Sequence, residues 1–187
     1  NVYYNTEGQE DPTSNFQWEF ILVDDDQTKN AWCMPGGKIA FYSGILPIAK
    51  NEDGIASIMG HEIAHAVARH SAERASTAML TDFGIMALEK FVLGQRLPQA
   101  SGYVRQFGLD LPFNRKQESE ADYLGIIFSS LAGYNIEESY KVWERMKEEG
   151  GSGPAEFWST HPSPDNRIKK LKEWIPIVSR QYPAISV

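Results

Sequence analysis

Between Phe16 and Val23 the chain alternates, with Phe16, Trp18, Phe20 and Leu22 set against Gln17, Glu19, Ile21 and Val23. A period of two predicts a strand. Asp24–Lys29 is a polar connector containing Asp24-Asp25-Asp26. It reads as a solvated turn, since a calcium site needs more oxygen ligands at regular spacing. Asn30–Met34 predicts a second short strand, Pro35-Gly36-Gly37 a turn, and Lys38–Ser43 a third strand. Three strands in close succession imply an antiparallel sheet.

The period then lengthens. Ile55, Ile58, Met59, Ile63 and Val67 recur three or four residues apart, which predicts a helix capped by Asn51 or Asp53 and running to about Arg74. Further helices are predicted over Thr77–Leu93, over Gln117–Leu131 with Gly133 as its stop, from the Asn135/Glu138 capping pattern to Gly150-Gly151, and from Ser163-Pro164 to about Trp174. Leu97–Leu111 is broken by Pro, Gly and Ser and reads as a loop; Ser152–Thr160 reads as a connector. The sum is an α+β chain, mostly helical, with a small antiparallel sheet ahead of the residue-51 helix. Residues 1–15 form a polar arm and 16–187 a single domain.

Composition narrows the class. A chain of 187 residues, 42% hydrophobic and 23% charged, can bury its own core without staples. The net charge of −7 with no Lys/Arg block argues against a nucleic-acid partner. Cys33 is the single cysteine, so no intrachain disulfide can form. The most apolar long stretch, Ala78–Leu93, carries Asp82, Glu89 and Lys90 and is too short to span a bilayer. The first residue is Asn1 rather than Met, so a leader or a segment giving membrane association would lie outside this chain.

Gly60-His61-Glu62-Ile63-Ala64-His65 carries the chemistry. Histidines at i and i+4 share one helix face and can converge on one zinc ion. Glu62 lies one residue on, beside the open coordination position, where a general base for an attacking water belongs. Ile63 and Ala64 are apolar or small, as a buried helix requires. His70 is five residues after His65, about 140° around the helix, so it cannot join the same ion and reads as an exposed or hydrogen-bonded histidine. A third ligand must come from elsewhere, and the acidic run Glu118-Ser119-Glu120-Ala121-Asp122 is the best source. Glu118 and Asp122 share a helix face and Glu120 points away. A carboxylate ligand followed one turn later by an acceptor for a ligand histidine's other ring nitrogen is a workable pair.

HEIAH followed by ESEAD, with its Glu–x–x–Ala–Asp spacing, resembles the metallopeptidase family that includes the CAAX prenyl endopeptidases and the bacterial proteins HtpX and BepA. Asn30–Gly37 is similar to that family's strand and turn before the active-site helix, Asn114–Glu118 to its lead-in to the glutamate, and Thr160-His161-Pro162-Ser163-Pro164 with Arg167 to its late His-Pro segment. The resemblance implies a gluzincin fold, one zinc per chain, Glu118 as third ligand and Asp122 as partner of His61. This chain shows no transmembrane helices of the kind the prenyl enzymes and HtpX carry, so it resembles a soluble branch. The expected activity is zinc-dependent endopeptidase action on unfolded or misassembled polypeptides, in protein quality control. The expected location is a bacterial cell envelope, with the mitochondrion as the alternative.

Three further expectations concern the surroundings of the zinc. His161, followed by Pro162, is a candidate oxyanion donor, a resting-state fourth ligand, or only a helix cap. Arg167 is a candidate partner of Glu118 or Asp122. The Lys38–Ser43 strand is expected to offer an edge along which extended substrate pairs. A zinc-binding chaperone with latent chemistry is the reading from another class, and it leaves Glu62 without a use.

Overall fold

The computed structural model describes residues 3, 4, 7, 8, 10–88, 111–149 and 164–185. His161, the stretch 97–110, and the connector 152–160 lie outside the described residues. Three strands, β1 (Glu19–Val23), β2 (Ala31–Met34) and β3 (Lys38–Tyr42), precede a short 3-10 turn at Ser43–Ile45. Six helices follow among the described residues: α1 (Leu46–Ala49), α2 (Glu52–Val67), α3 (His70–Leu88), α4 (Leu111–Leu131), α5 (Glu138–Glu149) and α6 (Pro164–Gln181).

The sheet is mixed rather than antiparallel, in the order β1-β3-β2. β2 and β3 form the expected hairpin, but β1 lies parallel to β3 on its other side. The reason is the path of the Asp24–Asn30 connector, which crosses the C-terminal end of β3. Asp25 holds it there: its N–H donates to Ser43 Oγ (2.9 Å), its Oδ1 accepts from Gln27 N–H (3.0 Å), and its Oδ2 accepts from the Thr28 hydroxyl (2.7 Å). The bonds from Thr28 and Gln27 hold the Asp25 carboxyl below its usual range. The acidic run is the expected solvated turn, and the bonds of Asp25 make it a crossover of fixed path. Gly44 completes it, since a Cβ there would meet the carbonyl oxygens of Thr28 at 2.5 Å and Asp26 at 2.6 Å.

β3 is thus the central strand, and its edges are taken. β1 behaves unlike a half-buried strand: Phe20, Ile21 and Leu22 are 63%, 55% and 62% exposed, so neither face of its alternation is covered. Between β2 and β3, Gly37 N–H returns to the Met34 carbonyl (3.1 Å) with Gly36 at φ 92. That is the turn Pro-Gly favours, because only glycine accepts the positive φ cheaply.

Asn51 caps α2 by accepting from Gly54 N–H at 2.8 Å. The predicted continuation to Arg74 fails: Arg69 stands at φ 57, the chain turns, and α3 starts at His70. α4 begins six residues before the expected Gln117, with Pro112 in its first turn, where a missing N–H costs nothing. α6 continues past Trp174 to Gln181 despite Pro176, because Leu171, Ile175 and Val178 keep one face buried.

α2 packs chiefly against α4, and α4 and α5 both pack on α6. The core gathers Ile39, Ile45, Ile48, Ile58, Ile126, Ile127, Trp143 and Leu171. Two glycines let α2 and α4 touch backbone to backbone. A Cβ on Gly60 would meet the Gly125 carbonyl oxygen at 2.8 Å, and one on Gly125 would meet His61 N at 2.9 Å. Neither obstacle is a side chain that can swing away. Gly125→Ala is therefore expected to destabilise the protein by about 1–3 kcal/mol, outweighing alanine's helix preference of about 1 kcal/mol. Urea denaturation measures this; a variant as stable as the parent would show that the helices are not pinned here.

Candidate metal centre

The α2–α4 contact brings the residues of chemistry together. His61 and His65 lie one turn apart on α2, with His61 Nε2 3.1 Å from His65 Nε2. Glu118 of α4 faces both, its Oε2 3.4 Å from His61 Nε2 and its Oε1 3.2 Å from His65 Nε2. These three residues form a group able to hold a metal ion. A tetrahedral zinc with bonds of about 2.0–2.1 Å has ligand atoms about 3.3 Å apart, so the spacing fits. Glu62 is buried on the same helix, and its negative charge helps hold the thiol of Cys33 on β2 up, after burial, to about 12. β2 packs against α2, the helix that carries Glu62.

Behind the histidines sits a second layer of charge. Asp122, one turn after Glu118, places Oδ1 3.1 Å from His61 Nδ1. Arg167 comes from the first turns of α6 and is buried. It grips Asp122 with two bonds of 2.7 Å, from Nε to Oδ2 and from Nη2 to Oδ1, and its Nη1 lies 2.8 Å from Glu118 Oε2. Burial alone would raise the Asp122 carboxyl, but Arg167 and His61 outweigh it and hold it low. Burial would likewise lower the Arg167 guanidinium, and Asp122 and Glu118 hold it up. For His61, burial and Arg167 push the imidazole down, yet its bonds to Asp122 and Glu118 raise it to about 9. Arg167 Nη2 also stands 3.3 Å from both ring nitrogens of His61.

The charge count supports a cation here. Glu62, Glu118 and Asp122 are all buried, and Arg167 is the permanent cation buried with them. With all three carboxylates ionised and the histidines neutral, as metal ligation requires, the cluster would carry three negative charges against one positive. A divalent ion closes that difference, and buried charge is tolerated only when matched.

One residue at the centre escaped the sequence reading, and a second, His70, is the hydrogen-bonded histidine that reading allowed, placed closer to the site than its spacing implies. The Trp143 ring on α5 lies under Arg167, with Cζ 3.6 Å from the ring centroid, and stands edge-on to His61 at 5.8 Å. In the sequence, Trp143 reads only as a core position on an amphipathic helix. His70 was set aside by helix geometry. It is 1% exposed and its Nδ1 lies 2.8 Å from His65 Nδ1. Glu120, as expected, turns from the metal side; its Oε2 lies 3.5 Å from His70 Nε2.

Two histidines one turn apart, a carboxylate from a second helix and a glutamate beside them are the donor set of a metallopeptidase centre. Comparison with known proteins agrees. The model of peptidase family M48 matches residues 8–175, and the chain belongs to that family. It is 44% identical over 166 residues to mitochondrial metalloendopeptidase OMA1 of Schizosaccharomyces pombe, covering 87% of this chain and 48% of that protein. The human protein of the same name is 30% identical over 175 residues (87% and 33%). The beta-barrel assembly-enhancing protease of Yersinia pestis is 31% identical over 168 residues (83% and 34%). The chain thus spans about half or less of the length of these relatives.

Arg167→Leu removes the cation from two buried carboxylates and should destabilise the metal-free protein by about 3–5 kcal/mol. Urea denaturation in chelator measures the loss. A change below about 1 kcal/mol would mean that the Arg167 pairs are no stronger than surface ones.

Proposed function

We propose that this chain is the catalytic part of a zinc-dependent endopeptidase that cleaves unfolded or misassembled polypeptides in mitochondrial protein quality control. The observation that carries the reading is the convergence of His61, His65 and Glu118 with Glu62 buried on the same helix. The mitochondrion replaces the bacterial envelope as the favoured location, because relatives at 44%, 37% and 36% identity are named mitochondrial, whereas the bacterial ones stand near 30%. Among the described residues no helix is long and apolar enough to cross a membrane.

His61 and His65 would hold the zinc through their Nε2 atoms and Glu118 through its carboxylate. When bound, zinc would lower the pKa of its water to about 7 and polarise the scissile carbonyl. Glu62 takes a proton from the attacking water and passes it to the leaving amine. Asp122 accepts from His61 Nδ1–H, which leaves Nε2 free to ligate and fixes the ring. Arg167 keeps Asp122 ionised for that task, and Trp143 seals the guanidinium from water. His161 remains the candidate for an oxyanion donor or a resting-state ligand.

The edge open to substrate belongs to β2, not β3. β2 flanks α2, and among the described residues no strand pairs with its outer edge. Main-chain pairing of an extended polypeptide along Ala31–Met34 demands little of its sequence, which suits unfolded substrates of broad composition.

Glu62→Gln should abolish digestion of casein while keeping one zinc per chain, measured by fluorescent peptide release and metal analysis. A variant that still digests casein, or that has lost its zinc, contradicts the assignment of Glu62 as base. Chelator should stop digestion of casein by the parent protein with little change in circular dichroism, since the core is built without the metal. A cooperative loss of helix on chelation would contradict that.

A further inference from the structure

The break between α2 and α3 sets up a contact that a continuous helix forbids. Arg69 holds a left-handed backbone at φ 57 although it is not glycine. Such a conformation is strained for a residue with a Cβ, and persists only where the surroundings over-determine it. Here the surroundings are visible. Ala68 N–H and Arg69 N–H close the end of α2 on the carbonyls of Ala64 (2.9 Å) and Ala66 (3.2 Å). Gln117, buried beside Glu118 on α4, sends its Nε2 to the His70 carbonyl (3.3 Å) and to Glu73 Oε2 (2.8 Å). The start of α3 is thus tied to the helix that carries Glu118.

What the kink achieves is the placement of His70. Its ring stands edge-on to His65, with centroids 4.9 Å apart at 75°, and the two Nδ1 atoms are 2.8 Å apart. His65 Nε2 is the atom that faces His61 Nε2 and Glu118. When Nε2 ligates, the neutral His65 ring carries its proton on Nδ1, and His70 Nδ1 stands 2.8 Å from that atom as an acceptor. A His70 that accepts at Nδ1 is, when neutral, the Nε2–H tautomer, and its Nε2 lies 3.5 Å from Glu120 Oε2. His61 is oriented through its own Nδ1 by Asp122. The two ligand histidines therefore have different supports, a carboxylate for one and an imidazole for the other.

We propose that His70 is a positioning residue for zinc: as the neutral Nε2–H tautomer it accepts the Nδ1–H of His65 and holds that ring in its ligating orientation. The left-handed Arg69 exists to deliver it. The inference rests on the zinc reading of this chain, and the test separates the two.

Zinc content of the full chain is measured first, followed by histidine-nitrogen NMR of the zinc-loaded protein. The expected spectrum shows one histidine, His70, with a protonated Nε2 and an accepting Nδ1, coupled to a strongly hydrogen-bonded Nδ1–H on His65. A zinc-loaded protein in which His70 carries its proton on Nδ1 overturns this inference alone; a chain that binds no zinc overturns the zinc reading and this inference with it. His70→Leu and His70→Asn form a matched pair of similar shape, since only asparagine places an acceptor near the position of Nδ1. In chelator competition, His70→Leu should weaken zinc affinity by about 10–100-fold, the usual loss for such a support, and His70→Asn should recover all but about threefold of it. Equal affinities in the two variants would make His70 a packing residue and overturn the proposal. If either variant does not fold, the tautomers of the parent protein decide.

Discussion

Three carboxylates, Glu62, Glu118 and Asp122, are buried together within one helical junction. Keeping them ionised away from water requires cations at short range, because an unmatched buried charge costs several kcal/mol even after relaxation. Arg167 supplies one, with paired bonds of 2.7 Å to Asp122 and a 2.8 Å contact to Glu118. The carboxylates of Asp122 and Glu118 also raise the pKa of the His61 imidazole, so the site favours positive charge at that position. Zinc, on the proposed reading, would supply that charge with His61 neutral as its ligand. The same balance explains why α6 is docked where it is: its Arg167 is an electrostatic requirement of α4. Trp143 covers the guanidinium and joins α5 to the same site.

That electrostatic arrangement works only if α2 and α4 approach closely enough for side chains of both to share an ion. Gly60 and Gly125 make the approach, with backbone atoms standing where each missing Cβ would be. Gly60 immediately precedes His61, and Gly125 follows Asp122 by less than a turn. The packing of the core and the geometry of the site are therefore one feature. The sheet serves the same end more remotely: the hairpin sets β2 beside α2, and the Asp25 crossover places β1 where it cannot block the outer edge of β2.

Much of this was legible before any coordinates. HEIAH and ESEAD carry local helical spacing, so which residues share a face follows from 3.6 residues per turn. What escaped was non-local. Strand order depends on a crossover held by side-chain bonds of Asp25 and Thr28, and nothing in the alternation of β1 encodes whether it pairs with β2 or β3. Its exposed Phe20, Ile21 and Leu22 broke the burial pattern as well. His70 stays out of the ligand group and is hydrogen-bonded, as its spacing allows, but its place beside His65 depends on a single dihedral. Periodicity predicts one helix to Arg74, and the left-handed Arg69 breaks it. Trp143 carried no signal, since a tryptophan on an amphipathic helix reads as core whether or not a guanidinium lies on it. The one hint available for the helix contact was the pair of glycines inside helical segments, where glycine costs stability and so calls for a packing reason.

The central claim is that α2 and α4 together make one zinc site with Glu118 as its third ligand. Metal analysis of Glu118→Ala beside Glu120→Ala tests it most directly, because both changes remove one carboxylate from the same helix, and only Glu118 faces His61 and His65. The expected result is loss of bound zinc in Glu118→Ala, with about one zinc per chain kept in Glu120→Ala. Equal zinc in the two proteins would contradict the claim.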